Sequence, residues 1–178
     1  SMSGRSLRPS DVEVLKQQSF IHSVTPMVST SVEVRYQNIS AVNTQVQGVG
    51  HQFFDVQGYD IVEGIAFNEE SEENLALEAV IDDNSVQTLF PDGGSPIGEV
   101  IMLGHLPVRV IGVATSKAQG LRGSNNMNVW IPYSSAMKRM LGESSLRNIT
   151  VRVDESVNIK LAEKSITDIM TQLHGKKD

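Results

Sequence analysis

The sequence predicts an α+β fold made of two units, and three features of its 178 residues lead to this prediction. Valine and isoleucine are abundant while aromatic residues make up only 5%, which favours sheets with helices over an all-helical bundle. The chain opens with helix and strand patterns and closes with a strand and a helix, whereas its middle consists of short segments separated by Gly, Asp and Pro. We therefore expect a discontinuous outer unit, residues 1–50 and 147–178, interrupted by an inserted unit, residues 51–146.

The outer unit begins with a short helix and a hairpin. Ser10 and Glu13 have the spacing of a capping box, in which the serine accepts from the first helical amides and the glutamate reaches back. The helix should run to about Gln18. Partly alternating apolar residues then predict two strands joined by a tight turn, at residues 28–34, 37–38 and 39–49.

The inserted unit consists of short elements. Apolar runs predict four strands, at residues 79–81, 100–103, 108–113 and 129–132. The middle two are separated by a hairpin turn from Gly104 to Pro107. Helical segments are expected at residues 52–56, from Asp83 to about residue 90, and at 136–141 behind a Ser134 cap. The acidic stretch 68–74 is predicted to be a loop.

The chain closes with the clearest elements of the outer unit. An alternating strand is expected at residues 148–153. The helix after it carries one apolar stripe, formed by Ala162, Ile166, Ile169, Met170 and Leu173. We expect Asn158 to cap this helix at its start and Gly175 to follow its end.

Composition excludes several classes of protein. A net charge of −6 and the lack of a long basic run argue against nucleic-acid binding, which needs clustered Lys and Arg. Because the chain contains no cysteine, it cannot use thiolate catalysis, a zinc–thiolate site or a disulfide scaffold. No run approaches the roughly 18 to 20 apolar residues of a membrane-spanning helix. The Ser1-Met2 start is typical of a cleaved tag, so we expect a piece of a larger protein.

Reactive residue types are present, but not in catalytic patterns. The histidines lack the spacing of metal ligands, and surface or turn positions are expected for His22, His51, His105 and His174. The acidic residues 69–73 lack the spacing of a calcium loop. Asp82 and Asp83 end a strand, as catalytic carboxylates can, but a helix cap is the simpler role for Asp83. Neither a nucleophile elbow nor a P-loop is present. We predict no catalytic, metal-binding or cofactor-binding residue in this chain.

One segment invites a functional interpretation. Residues 115–128 form the longest stretch without apolar periodicity, and loops of this length are usually functional or disordered. We take Leu121, Arg122, Asn125 and Asn126 as candidate contact residues of this loop. Alternatively, Leu121 folds back over the neighbouring strands. If Leu121 is a core residue, Leu121→Ala should lower the free energy of unfolding by more than about 2 kcal/mol. If it is a contact residue, the same substitution should leave folding nearly unchanged.

Several stretches, taken in order, resemble a known family. They are Pro26 followed by VRYQN (34–38), QGVGHQFFDV (47–56), EGIAF (63–67), SVQTLFPD (85–92), PIGEVIMLGHLPVRVIGVA (96–114), VWIPYS (129–134) and NITVRV (148–153). The LPVRVIGV strand with VWIPYS after it is the most specific part. On these stretches the sequence resembles the periplasmic domain of the MacB family, homodimeric ABC exporters of the bacterial inner membrane.

The resemblance implies the following expectations. The domain would lie on the periplasmic face of the inner membrane, between the first two transmembrane helices of a multi-pass protein. The outer unit would be porter-like and the inserted unit sabre-like. The domain would dock a MacA-type adaptor that leads to a TolC-type channel, and would transmit ATP-driven motion that expels macrolides or other substrates. ATP and Mg would belong to a nucleotide-binding domain elsewhere in the parent, which leaves this domain non-catalytic and without cofactor.

Further implications and two alternatives remain. The resemblance places the loop around Leu121 near the central passage of the parent homodimer, whereas we expect the excised chain to be a monomer. One alternative is the periplasmic domain of a related lipoprotein-releasing permease, in which such a domain handles acylated proteins. Another is a module that binds a small ligand in the cleft between the two units, since pockets prefer domain interfaces.

Overall fold

Residues 2–3, 7–117, 126–141 and 148–175 are described by the structure, a computed structural model. The strands in these residues are β1 Met2–Ser3, β2 Ile21–Tyr36, β3 Ile39–Val49, β4 Tyr59–Gly64, β5 Glu78–Asp82, β6 Val100–Leu103, β7 Leu106–Ser116, β8 Asn128–Pro132 and β9 Asn148–Val153. The helices are α1 Pro9–Lys16, α2 Phe53–Val56, α3 Glu69–Glu73, α4 Asp83–Leu89, α5 Tyr133–Ser135, the π-helix Ala136–Leu141 and α6 Ile159–His174. This mixture confirms the predicted α+β class.

The order of strands in the sheet separates the two units. Along the described part of the chain the order is β1-β9-β2-β3-β8-β5-β7-β4. The first four strands come from the two ends of the sequence and the last four from its middle, which is the arrangement that an insertion produces. The two-unit architecture is therefore present in the sheet itself. The boundaries at residues 50/51 and 146/147 stay a prediction.

Strand β6 closes part of the sheet on itself. It pairs antiparallel with β7, where Ile101 lies opposite Val108, and with β2, where Val34 lies opposite Leu103. Strands β2, β3, β8, β5, β7 and β6 therefore form a closed circuit of hydrogen-bonded neighbours, which we call the strand ring. The ring includes strands of both units. Closure leaves fewer free strand edges and ties the β2–β3 hairpin to the inserted unit.

Two apolar clusters fill the fold. The larger cluster draws on strands and helices of both units, and its most buried members include Leu15, Val28, Ile101, Leu103, Ile131 and Ile149. The smaller cluster is aromatic and centres on Trp130, which is 1% exposed. The Trp130 ring lies 5.0 Å from Tyr59 and 5.5 Å from Phe54, and its Nε1 donates to Gln47 Oε1 at 2.9 Å. The single tryptophan thus joins β8 to β3, β4 and α2.

The predicted ends of the closing helix α6 are confirmed. Asn158 Oδ1 accepts from two amides of the first turn at 2.9 and 3.3 Å, which satisfies donors that the helix leaves unpaired. Gly175 follows the last turn with a φ of 74°. The predicted apolar stripe is only partly covered, because Ala162 and Ile166 are buried whereas Leu173 is 44% exposed.

The predicted N-cap residues of three helices were wrong by one or two positions, although α4 begins at Asp83 as expected. Helix α1 begins at Pro9, and the Arg8 amide donates to Asp11 Oδ2 at 2.9 Å, so Ser10 is not the cap. Proline favours the first helical position because its missing N–H is unpaired there anyway. Helix α4 is capped by Asp82 instead of Asp83. Helix α5 begins before Ser134, which is therefore not a cap either, and continues as a π-helix.

Two predicted loops also need correction. The acidic stretch contains helix α3, because Asn68 Oδ1 caps it by accepting from the Ser71 amide at 2.9 Å. Its glutamates lie where the positive end of the helix dipole favours negative charge. The loop predicted for residues 115–128 is shorter, since β7 continues to Ser116 and β8 begins at Asn128. Strand β2 likewise begins at Ile21, seven residues before its predicted start.

Candidate functional site

The candidate contact loop is described only at its two ends. Leu121, Arg122 and Asn125 lie outside the described residues. Asn126 is exposed, and its backbone oxygen accepts from Asn84 Nδ2 at 3.0 Å. Of the four predicted contact residues, one is therefore placed at the surface, next to the start of helix α4.

A polar network centred on Asp82 anchors the C-terminal end of this segment. Asp82 Oδ2 accepts from the amide and from Nδ2 of Asn128 at 3.1 and 3.0 Å. Its Oδ1 accepts from the amide and hydroxyl of Ser85 at 2.9 and 2.7 Å. The single hydroxyl proton is shared with the backbone oxygen of Asn128, which lies 3.1 Å from Ser85 Oγ. One carboxylate thus caps α4 and fixes the start of β8. The sequence indicated a cap at the neighbouring Asp83, but the separation of 46 positions between Asp82 and Asn128 concealed their contact.

The N-terminal end of the segment is also attached to the sheet. The Lys117 amide donates to the Gly58 oxygen at 3.0 Å, and its Nζ lies 3.6 Å from Asp60 Oδ1. The ion pair is exposed, so it contributes little by itself. Backbone pairing of β7 with β4 holds the same position from Tyr59 to Gly64. The described residues on either side of residues 118–125 are therefore both attached to the sheet.

A second polar cluster lies where the outer and inserted units meet, at the end of β3. Glu72 is 7% exposed, and its two carboxylate oxygens accept from the amide and from Nδ1 of His51 at 3.1 and 3.0 Å. Glu69 Oε1 lies 3.8 Å from His51 Nε2. The Ser134 hydroxyl donates to the Glu72 backbone oxygen at 2.6 Å. His51 and the acidic stretch, predicted to be unrelated surface features, hold α3 and α5 to the end of β3.

Close packing surrounds this junction. A side chain on Gly48 would place its Cβ 2.6 Å from Ala136 Cβ and 2.9 Å from Val28 Cγ1, so only glycine fits without a shift. Burial raises the pKa of the Tyr133 hydroxyl far above its ordinary value of 10.0, and the nearby negative charges of Glu72 and Glu13 raise it further. Tyr133 therefore stays neutral at physiological pH.

The described residues do not bring metal ligands together. Within the described ranges, no group of three or more His, Asp or Glu side chains is placed to hold a metal ion. His105 is exposed in the β6–β7 turn, as predicted, and His22 lies 3.7 Å from Asp154 at the surface. His174, by contrast, is nearly buried and contacts Asp11.

The cavities differ in size and in place. Two cavities at the junction of the units have volumes of about 170 and 110 Å³ and polar linings. A larger open groove of about 590 Å³ lies instead between β9 and α6, with Val151, Val153 and Ile166 among its lining residues. Sites for drug-sized ligands usually measure about 300–1,000 Å³. These two cavities at the junction are therefore small for such a ligand. Within the described residues, no helix is both long and apolar enough to span a bilayer.

Comparison with known proteins gives consistent results along the chain. Residues 1–169 match the family model of the MacB-like periplasmic core domain. The chain is 51% identical to the macrolide export ATP-binding/permease protein MacB of Pectobacterium atrosepticum, over 98% of this chain and 27% of that protein. It is 52% identical to MacB 2 of Yersinia pestis bv. Antiqua (strain Antiqua), over 97% of this chain and 25% of that protein. The chain thus spans about a quarter of the length of these relatives.

Solved structures agree with the sequence comparison. The periplasmic region of MacB from Actinobacillus actinomycetemcomitans superposes with a TM-score of 0.86 at 32% identity, covering 99% of this chain and 78% of that one. The extracellular domain of the ABC-type transporter YknZ from Gram-positive bacteria shares the fold, with a TM-score of 0.81 at 21% identity over 96% of this chain and 86% of that one. The ordered motifs, the two-unit sheet and these matches agree: the chain belongs to the MacB-like periplasmic core domain family.

Proposed function

We propose that this chain is the part of a macrolide exporter that docks a MacA-type adaptor and passes ATP-driven motion of the parent transporter toward a TolC-type channel. The observation that carries the proposal is the identity of 51–52%, over nearly the whole chain, with proteins named macrolide export ATP-binding/permease protein. In this proposal the parent is a homodimer in the bacterial inner membrane, and its nucleotide-binding domain holds ATP and Mg. The domain described here contributes docking and transmission, without catalysis.

The geometry supports a transmission role. Packed interiors and closed strand circuits pass displacement on instead of absorbing it, because they deform little. The strand ring joins the β2–β3 hairpin of the outer unit to the inserted unit through two strand pairings, β2 with β6 and β3 with β8. The Glu72–His51 cluster and the close contact at Gly48 fasten the same junction. A movement of the outer unit should therefore reach the ends of residues 118–125 through connected elements.

Binding to an adaptor is the direct test. A purified MacA-type adaptor should bind the 178-residue chain saturably, and Arg122→Glu should weaken binding by about tenfold or more if this residue is a contact. Arg35→Glu, on the exposed face of β2, is the control and should leave binding within about twofold, as expected away from an interface. Absence of saturable binding to the unmodified chain would contradict the docking proposal.

Transport is tested in the full-length protein. Cells producing the parent transporter with Arg122→Glu should become more sensitive to a macrolide, whereas those with Arg35→Glu should keep the resistance of the unmodified protein. Export of acylated proteins in place of macrolides would favour the lipoprotein-releasing alternative. Saturable thermal stabilisation of the isolated chain by a macrolide would favour the ligand-binding alternative. Light scattering of the isolated chain should give a monomer.

A further inference from the structure

We infer that His174 and Asp11 form a latch between the last and first helices of the chain, so that α6 and α1 move together. Its use in transmission rests on the function proposed above, whereas the latch itself rests on local geometry. His174 Nε2 lies 2.8 Å from Asp11 Oδ2, although the two residues are 163 positions apart in sequence. Their side chains are only 10% and 4% exposed. Water therefore competes weakly for this contact.

One oxygen atom makes both connections of the latch. An ionised carboxylate can only accept, so His174 Nε2 carries the proton and donates. The same Asp11 Oδ2 accepts from the Arg8 amide at 2.9 Å, which is the bond that caps helix α1. Displacement of His174 therefore acts directly on the atom that fixes the start of α1.

The two helix ends suit the acceptor and the donor that meet there. Asp11 lies in the first turn of α1, where the positive end of the helix dipole stabilises an anion. His174 is the last residue of α6, where the negative end of the helix dipole favours a donor group. The contact therefore joins the N-terminus of one helix to the C-terminus of another, with each side chain at the end that suits it.

Apolar packing around this end of α6 is thin. Ala162 and Ile166 are the buried apolar residues of the helix, and both lie at least two turns before its end. Leu173, next to His174, is 44% exposed. Met170, one turn before the end, packs against the core but is only partly buried, so the polar contact with Asp11 is the more specific tie of the last turn. The His22–Asp154 pair is a natural control, since it is 3.7 Å apart with side chains 60% and 42% exposed.

Amide hydrogen exchange on the 178-residue chain tests the latch. With His174→Ala, exchange should become about tenfold faster or more in the last turn of α6 and also in the first turn of α1, as expected for loss of a hydrogen bond to a charged group. His174→Gln keeps a donor and should restore part of the protection. His22→Ala should change neither helix. Amides of β7 and β8 should keep their rates, which separates release of the latch from a general loss of stability.

Three outcomes would overturn the inference: unchanged exchange at both helix ends, acceleration in α6 alone, or equal acceleration throughout the chain. If His174→Ala does not fold, Asp11→Asn compared with the double variant Asp11→Asn/His174→Gln gives the same information, because coupled residues produce a non-additive change. In the full-length transporter, His174→Ala should reduce macrolide resistance while adaptor binding is retained. Failure of the unmodified chain to bind adaptor would instead contradict the proposed function and leave the exchange result unaffected.

Discussion

The strand ring and the closing helix α6 are held in place by different means. The ring is closed by hydrogen bonds between strands of both units and contains the fully buried Trp130. Helix α6 leaves three large apolar side chains exposed, Ile159 at 63%, Leu161 at 65% and Leu173 at 44%. Its ends depend instead on polar contacts. Stability is therefore unevenly distributed, and we expect the ring to open only with global unfolding while α6 opens locally.

Removing the largest buried side chain of the ring should have the largest effect. Trp130→Ala removes an indole that packs on Tyr59 and Phe54 and donates to Gln47, so the free energy of unfolding should fall by about 3–5 kcal/mol. Urea denaturation followed by circular dichroism measures this loss. Val62→Ala, at a position 59% exposed, should change stability by less than about 0.5 kcal/mol. Equal effects of the two substitutions would show that the aromatic cluster is not a core.

Disruption of the Asp82 network should have the second-largest effect on stability. Asp82→Ala removes the cap of α4 and leaves the amide of Asn128 without its carboxylate partner. We therefore expect the free energy of unfolding to fall by about 2 kcal/mol. Asp92→Ala, in the exposed turn after α4, is the matched control and should be nearly neutral. Thermal unfolding of both variants checks the difference. A neutral Asp82→Ala would mean that other contacts fix the start of β8.

The sequence predicted local features of this structure better than contacts between distant residues. The alternation of strands, the turn at Gln37-Asn38 and the Asn158 cap follow from local chemistry, and the structure confirms them. The contacts of Glu72 with His51 and of His174 with Asp11 join residues 21 and 163 positions apart. Periodicity and spacing carry no signal for such pairs, because each residue taken singly resembles an exposed one.

Less of the candidate contact loop than of the local structure could be predicted from the sequence. Glycine and asparagine content identified the segment near Asn126, and the structure places that residue at the surface. The anchors at Asp82 and Lys117 could not be predicted, since they depend on how β5, β7 and β8 lie side by side. Closure of the ring through β6 was also missed, because a four-residue strand can pair on either edge.

Alkaline pH should weaken the junction through Tyr133. Because burial raises its pKa in the folded state, the unfolded chain loses this proton first as pH rises above the ordinary value of 10.0. The contribution of neutral Tyr133 to the free energy of unfolding is therefore fully present below pH 10 and declines above it. Tyr133→Phe should have a small effect at neutral pH and a shallower decline above pH 10, measured by urea denaturation across that range. An unchanged pH profile would show that Tyr133 ionises without disturbing the fold.

Loss of the Asn158 cap should have the smallest effect on the whole molecule and should distinguish its two regions most sharply. Asn158→Ala leaves two amides of the first turn of α6 unpaired, which costs about 1 kcal/mol. Because Ala162 and Ile166 are the only buried residues of α6, this cost should appear as faster amide exchange within α6 while β7 and β8 keep their protection. Asn158→Asp, which keeps an accepting oxygen, should restore the rates. If the ring amides accelerated as much as those of α6, the two regions would unfold as one unit, and the uneven distribution of stability described above would be wrong.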